Sequence, residues 1–315
     1  MKKVANPATF LFSRDFINLR AFILGITFAL MWSSAFTSAR IIVDSAPPLS
    51  ALSIRFIISG LLAVLIGWIL GQSLKLNRSQ WKATLIFGIC QNSIYLGLNF
   101  IAMQKVEAAI AAIIASTMPL IVAFLGWSLF RDKLTLISIL GLTLGFLGVY
   151  LIINNRIENM DNLLGIALCV IGAISLAIAT LFLKNATSGG NLWIIIGYQM
   201  IIGSLALIPF AILFEDTNIT WSSSLIIAFF YTTLIPGLLA TWIWFILVSE
   251  VGAIRGASFH FLNPFFGVLI AYIILGENIT TSDYIGVIII SVGIIAVQFS
   301  RNVESRNHNE SMIIN

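Results

Sequence analysis

Residues 106–153 lie over residues 251–298 without a gap, at an offset of 145 positions. Val106 falls on Val251, Ala108 on Ala253, Ala112 on Ala257, Pro119 on Pro264, Thr135 on Thr280, Gly141 on Gly286 and Gly148 on Gly293. Both stretches are almost wholly apolar and hold a proline, but the charge of the loop reverses. Arg131, Asp132 and Lys133 in the first become Gly276, Glu277 and Asn278 in the second. Lysine and arginine collect on the cytoplasmic side of a membrane, so copies with opposite loop charge are expected to insert upside down relative to each other. Inverted repeats are the architecture of alternating-access transporters. A chain built this way is expected to move a solute.

Apolar residues make up 59% of the 315 and charged residues 10%, against about 25% charged in a soluble domain. A water-facing surface cannot be made from that stock. The length allows roughly ten spans of ~20 residues with short loops. Charge, proline and asparagine clusters divide the chain into ten apolar segments: 21–43, 49–70, 83–103, 108–130, 134–153, 163–183, 192–214, 223–248, 253–275 and 282–299. The predicted fold class is therefore an all-α integral membrane protein of ten transmembrane helices, arranged as two inverted-topology five-helix repeats. The first repeat covers 21–153 and the second 162–299, with cytoplasmic tails at 1–20 and 300–315. The basic start resembles a signal peptide, but the apolar run continues to Val43, so it reads as a first span. The duplication reaches further than its best-matched part. The run from Arg55 to Leu61 aligns with that from Gln199 to Leu205.

Basic residues set the orientation. With the amino terminus inside, thirteen Lys and Arg fall in cytoplasmic segments and three outside (Arg40, Lys105 and Arg156). Both termini are thus expected in the cytoplasm, in a plasma membrane, or the inner membrane of a bacterium. The net charge of +4 is scattered between apolar runs and reads as topology signal. Nucleic acid is not an expected partner; lipid bilayer and a small-molecule solute are. Cys90 and Cys169 sit inside apolar runs as small buried residues, with no metal or disulfide role.

Trp32-Ser-Ser-Ala-Phe, then Pro47-Pro48 and Arg55-Phe56, resemble the first two helices of the EamA-type transporters of the drug/metabolite transporter superfamily. Ala115-Ser-Thr-Met-Pro119, running into Arg131-Asp-Lys-Leu-Thr135 and Gly141, is similar to them too. Phe261-Leu-Asn-Pro264, running into Leu275-Gly-Glu-Asn and Gly286, looks like the partner domain. The resemblance spans about 21–299 and implies a central cavity between two inverted five-helix bundles, and export or exchange of amino acids, nucleotide derivatives, other metabolites or drugs. The chain departs from the small multidrug relatives in having no Asp or Glu near the centre of any span, which argues against carboxylate-based proton–drug antiport.

Polar groups inside a bilayer line the bundle interior or a wet cavity, because lipid cannot hydrogen-bond them. Arg55 lies seven residues after Pro48, roughly 10 Å into its helix. It either holds an anionic group of the solute, or snorkels or caps a neighbouring helix. Asn92, Tyr95 and Asn99 share one helical face with Gln91 at its edge, and either line a cavity or bond across helices. His260 and Asn263 precede Pro264 and stand where the first copy has Ala115 and Met118, so the scaffold does not require them. His260 is a candidate for solute selection or proton coupling, with a structural histidine as the alternative. Pro119, Pro236 and Pro264 remove backbone donors and are candidate kinks or gates. Trp242, near Pro236, either faces an aromatic or cationic solute or sits against lipid. Gly141, Gly145 and Gly148 have the spacing of close helix packing.

The chain lacks the HExxH, GxSxG and P-loop motifs and paired intramembrane aspartates, so no catalytic residue, cofactor or metal is expected and the protein is not an enzyme. The expected function is secondary transport of small organic metabolites such as amino acids or related compounds, as an exporter or exchanger working by alternating access. A flippase for lipid-linked head groups, or a non-transporting membrane scaffold or receptor, are the alternatives.

Overall fold

A computed structural model describes residues 19–130, 135–154, 160–182, 190–216, 218–251 and 259–296. Ten apolar helices cross it. In the first repeat these are α1 (Leu19–Val43), α2 (Pro48–Ile69), α3 (Arg78–Ala102), α4 (in two pieces, Ala108–Ser116 and Met118–Phe130) and α5 (Leu136–Asn154). In the second they are α6 (Met160–Phe182), α7 (Leu192–Phe214), α8 (Ser223–Glu250), α9 (Asn263–Leu275) and α10 (Thr281–Ala296). Seven are long and apolar enough to cross a bilayer unaided; α5, α9 and α10 are apolar but shorter. The protein is thus an all-helical, ten-span inverted repeat.

Helix starts follow local chemistry. Pro48 opens α2 at a position where its missing N–H costs nothing. Asn77 and Gln80 form a reciprocal capping box at α3. Thr135 and its repeat partner Thr280 both take the capping place, accepting from Ser138 N at 3.2 Å and Asp283 N at 3.3 Å.

Two pairs of equivalent helices join the halves through glycine. On α2 and α7, a Cβ at Gly197 would stand 2.8 Å from the Gly60 carbonyl oxygen; on α5 and α10, one at Gly148 would stand 2.9 Å from that of Gly286. Backbones this close leave no room for a side chain, which is the packing the glycine spacing predicts. The first piece of α4 is buried along its whole length, alanine-rich and wedged against α6 and α9. Large apolar side chains on the outer faces, such as Phe210, Ile212 and Leu213 of α7 and Ile285 and Ile288 of α10, are exposed where acyl chains would cover them.

The third and eighth helices are not regular. Gly88–Tyr95 in α3 and Thr233–Leu239 in α8 are π-helical, at matching places in the two repeats. The sequence reading expects a kink at Pro236 and no irregularity in α3. A π turn loosens the backbone ladder, and neighbouring serines supply donors to its carbonyls. Ser175 donates to Cys90 O at 2.8 Å, and Ser59 to Thr233 O at 3.0 Å.

The three candidate prolines sit at interruptions. Pro236 lies within the α8 π turn, and Pro119 follows the break at Thr117 between the pieces of α4. Pro264 is the second residue of α9, just after a tight turn over Phe259–Leu262. Proline cannot donate to the preceding turn, and its ring crowds that turn's carbonyl. The expected tails lie outside the described residues except for Leu19 and Arg20, which begin α1 rather than end a tail, and Arg131–Lys133 lie outside them too.

Candidate solute site

A cavity lies between the π turns of α3 and α8 and is walled as well by α1, α2 and α7. Its walls are Trp32, Phe36 and Ala39 from α1; Arg55 and Phe56 from α2; and Gln91, Asn92, Tyr95, Asn99 and Phe100 from α3. Met200 of α7 and Pro236, Gly237 and Thr241 of α8 complete it. Nearly every lining residue is buried; Ala35 and Leu96 are half-buried. The space within is about 30 Å³, room for roughly two water molecules. Little free space remains in this conformation.

Arg55 is the one charge in that wall, with 4% of its surface exposed. Its guanidinium carbon lies 4.9 Å from the Phe56 ring centroid and 5.8 Å from that of Phe100. Its Nε is buried without a hydrogen-bond partner. Among the described residues no carboxylate pairs with it; the acids that form ion pairs, Asp44, Asp161 and Glu250, do so near helix ends. The arginine neither snorkels nor caps a helix. Its cation rests on aromatic faces.

The polar stripe of α3 divides its work. Asn92 Nδ2 donates to Gln199 O at 2.9 Å, tying α3 to α7. Asn99 Nδ2 donates to Tyr95 O at 2.8 Å, leaving its Oδ1 buried and unpartnered. Both readings of the stripe therefore apply, cavity lining and bonding across helices. The Tyr95 ring stacks on Trp32 with centroids 6.4 Å apart and planes 2° apart.

His260 and Asn263 are not in the cavity wall. Asn263 Nδ2 and His260 Nδ1 are hydrogen-bonded at 2.7 Å. Phe28, Trp32 and Trp244 present rings edge-on to the imidazole at centroid distances of 5.2, 6.2 and 5.1 Å. The pair stands one ring behind the cavity, with Trp32 between. Trp242 is elsewhere, stacked on Trp193 at 5.5 Å.

Sequence reasoning passed over Trp32, Phe56, Phe100, Met200, Gly237 and Thr241 as site residues. Hydrophobic and glycine positions carry no polarity signal inside an apolar span. The duplication held one usable clue, since Gly237 falls on Asn92 at the offset of 145. Gln199, the repeat partner of Arg55, is also notable: both atoms of its amide are buried without partners.

A multi-span inverted repeat around a central cavity that holds a buried arginine has the architecture of a membrane transporter. The EamA-like transporter family profile matches residues 19–154 and again 163–299, and the chain belongs to that family. It is similar to the transporter YvbV of Bacillus subtilis, at 25% identity over 85% of this chain and 88% of that one. It is similar also to the inner membrane transporter YedA of Escherichia coli, at 26% identity over 87% and 90%. One solved protein crystal structure shares the fold at a TM-score of 0.66, 18% identity, over 91% of this chain and 99% of that one. Transport, not catalysis, is the function of this family.

Proposed function

We propose that the protein is a secondary transporter that carries small organic metabolites, amino acids and related compounds among them, by alternating access through the cavity around Arg55. The carrying observation is a buried guanidinium at the interface of the two repeats, with no counter-ion among the described residues. A buried unpaired charge is expensive, and it persists where it does work on a ligand. Five N–H donors in a planar fork suit a carboxylate or another oxyanion. Trp32, Tyr95, Phe56 and Phe100 offer apolar faces to the rest of the solute. Enclosure of the cavity by buried residues favours a free solute over a lipid-linked head group, which needs a path open to the bilayer.

The basic-residue count supports both termini lying in the cytoplasm, and the inner-membrane assignment of YedA supports a plasma-membrane location. His260 and Asn263 support the aromatic wall from behind, and through Trp32 they shape which solutes fit. The repeat boundaries at 21–153 and 162–299, and gating at Pro119, Pro236 and Pro264, belong to the same reading.

Comparing extracellular and cellular metabolites of a deletion strain with those of strains overproducing the wild type or Arg55→Gln tests it. A set of metabolites released by the wild type and retained with Arg55→Gln is expected. Identical profiles from both proteins at equal membrane abundance defeat the assignment of the site.

A further inference from the structure

The charge balance of the closed cavity constrains how the transporter can cycle, given the Arg55 site proposed above. Alternating access carries the protein through a closed state twice per cycle, once outward and once on return. In this tight conformation Arg55 is buried, its cation lies against the faces of Phe56 and Phe100, and its Nε meets no acceptor among the described residues. The space beside it, about 30 Å³, holds roughly two waters, too few to hydrate five donors. Closing around the bare cation is therefore slow. Closing around a bound anion, in a conformation wide enough to hold it, is not, because the pair is neutral and its hydrogen bonds are made.

We propose that this protein is an obligate exchanger of organic anions. Each limb of the cycle requires a bound anion, so uptake on one face is coupled to release of a second anion from the other. The favoured solute is a net monoanion with a flat apolar body, held by the guanidinium at one end and the rings of Trp32 and Tyr95 at the other. A zwitterion is a poorer cargo. Its carboxylate would pair with Arg55, but its ammonium would find amide oxygens such as Asn99 Oδ1 and no carboxylate among the described lining residues.

The test uses the full chain in sealed proteoliposomes with labelled benzenesulfonate, which remains anionic and does not leak through lipid as a neutral acid. Labelled phenylalanine is the zwitterionic contrast. Vesicles holding unlabelled benzenesulfonate should take up external label at least about tenfold faster than vesicles holding only chloride buffer. One-for-one exchange of monoanions moves no net charge, so a potassium–valinomycin potential should leave the rate unchanged. In Arg55→Gln, checked for folding by size exclusion, the acceleration by internal anion should fall to about onefold. Equal uptake into both kinds of vesicle, a rate that follows the potential, transport of phenylalanine alone, or movement of neither probe overturns the proposal. Should one of these occur while metabolite release still depends on Arg55, obligate anion exchange fails and the site stands. If release is indifferent to Arg55→Gln as well, the site reading falls with it.

Discussion

Arg55 on α2 and Gln199 on α7 occupy matching places in the two repeats, and π turns interrupt α3 and α8 at matching places. Around these shared features the copies part. The first repeat sets Gln91, Asn92, Tyr95 and Asn99 on its irregular helix, while the second sets Pro236 and Gly237 on its own. One half supplies most of the polar chemistry of the cavity; the other contributes mainly a smooth wall. The ends differ likewise. Where α2 begins, Glu215 of the second repeat accepts from Leu49 N at 2.6 Å and Ser50 N at 2.8 Å. Where α7 begins, neutral Gln72 of the first repeat accepts from Trp193 N at 2.9 Å. Glu277 repeats the charged version at α4, accepting from Ala108 N and Ala109 N at 2.8 and 2.9 Å. Backbone architecture obeys the duplication because both halves must pack alike. Side-chain chemistry is free to diverge, because a solute meets the two walls differently.

If the shared scaffold is symmetric in energy as well as shape, wedging matching glycines of the α5–α10 seam should cost the same. Gly148→Leu and Gly293→Leu each put a side chain where a Cβ alone would come within 3.0 Å of a facing carbonyl oxygen. Each is expected to destabilise the protein by about 3 kcal/mol, read as a lowered unfolding temperature in detergent. A large effect at one glycine and none at its partner breaks the symmetry argument.

Chemical asymmetry predicts the next largest effect. Arg55→Gln makes α2 resemble α7 and should lower flux about a hundredfold, whereas Gln199→Leu should change it by less than about fivefold. Equal losses in metabolite release would show that both halves bind the solute.

At the helix starts, Glu215→Gln copies the neutral latch onto the charged end. It removes charge-assisted acceptance at two backbone donors and should cost about 1 kcal/mol. Gln72→Ala should cost a similar or smaller amount at the other end. Thermal unfolding of both variants ranks the two latches.

The smallest effect is expected at His260. An imidazole boxed by aromatic rings, behind the cavity wall, is a shaping element. His260→Gln should keep the flux within about twofold of wild type at every pH between about pH 5.5 and 8, with the same pH dependence, while His260→Ala, copying Ala115, should alter solute preference. A flattened pH profile in the glutamine variant would instead assign His260 a proton-coupling role.

Legibility from sequence tracked polarity. Arg55, Gln91, Asn92, Tyr95 and Asn99 stand out because each is costly in lipid, and they converge on one cavity. His260 and Asn263 carry the same signal but satisfy each other elsewhere, since cost in lipid marks burial without saying in which compartment. Trp242 shows the limit for aromatics, whose rings pair with any neighbouring ring.

Composition, the offset of 145 and the loop charges by themselves determined a ten-span inverted repeat, because solvent preference and helix length are local properties of a chain. The π turns, the glycine seams as matched pairs and the latches across the halves were decided by tertiary structure. So was the placing of Arg55 on two phenylalanine rings with no acid in reach among the described residues. These depend on which groups meet across the interface of the repeats, and a donor is satisfied or left bare only by a neighbour that the linear order does not reveal.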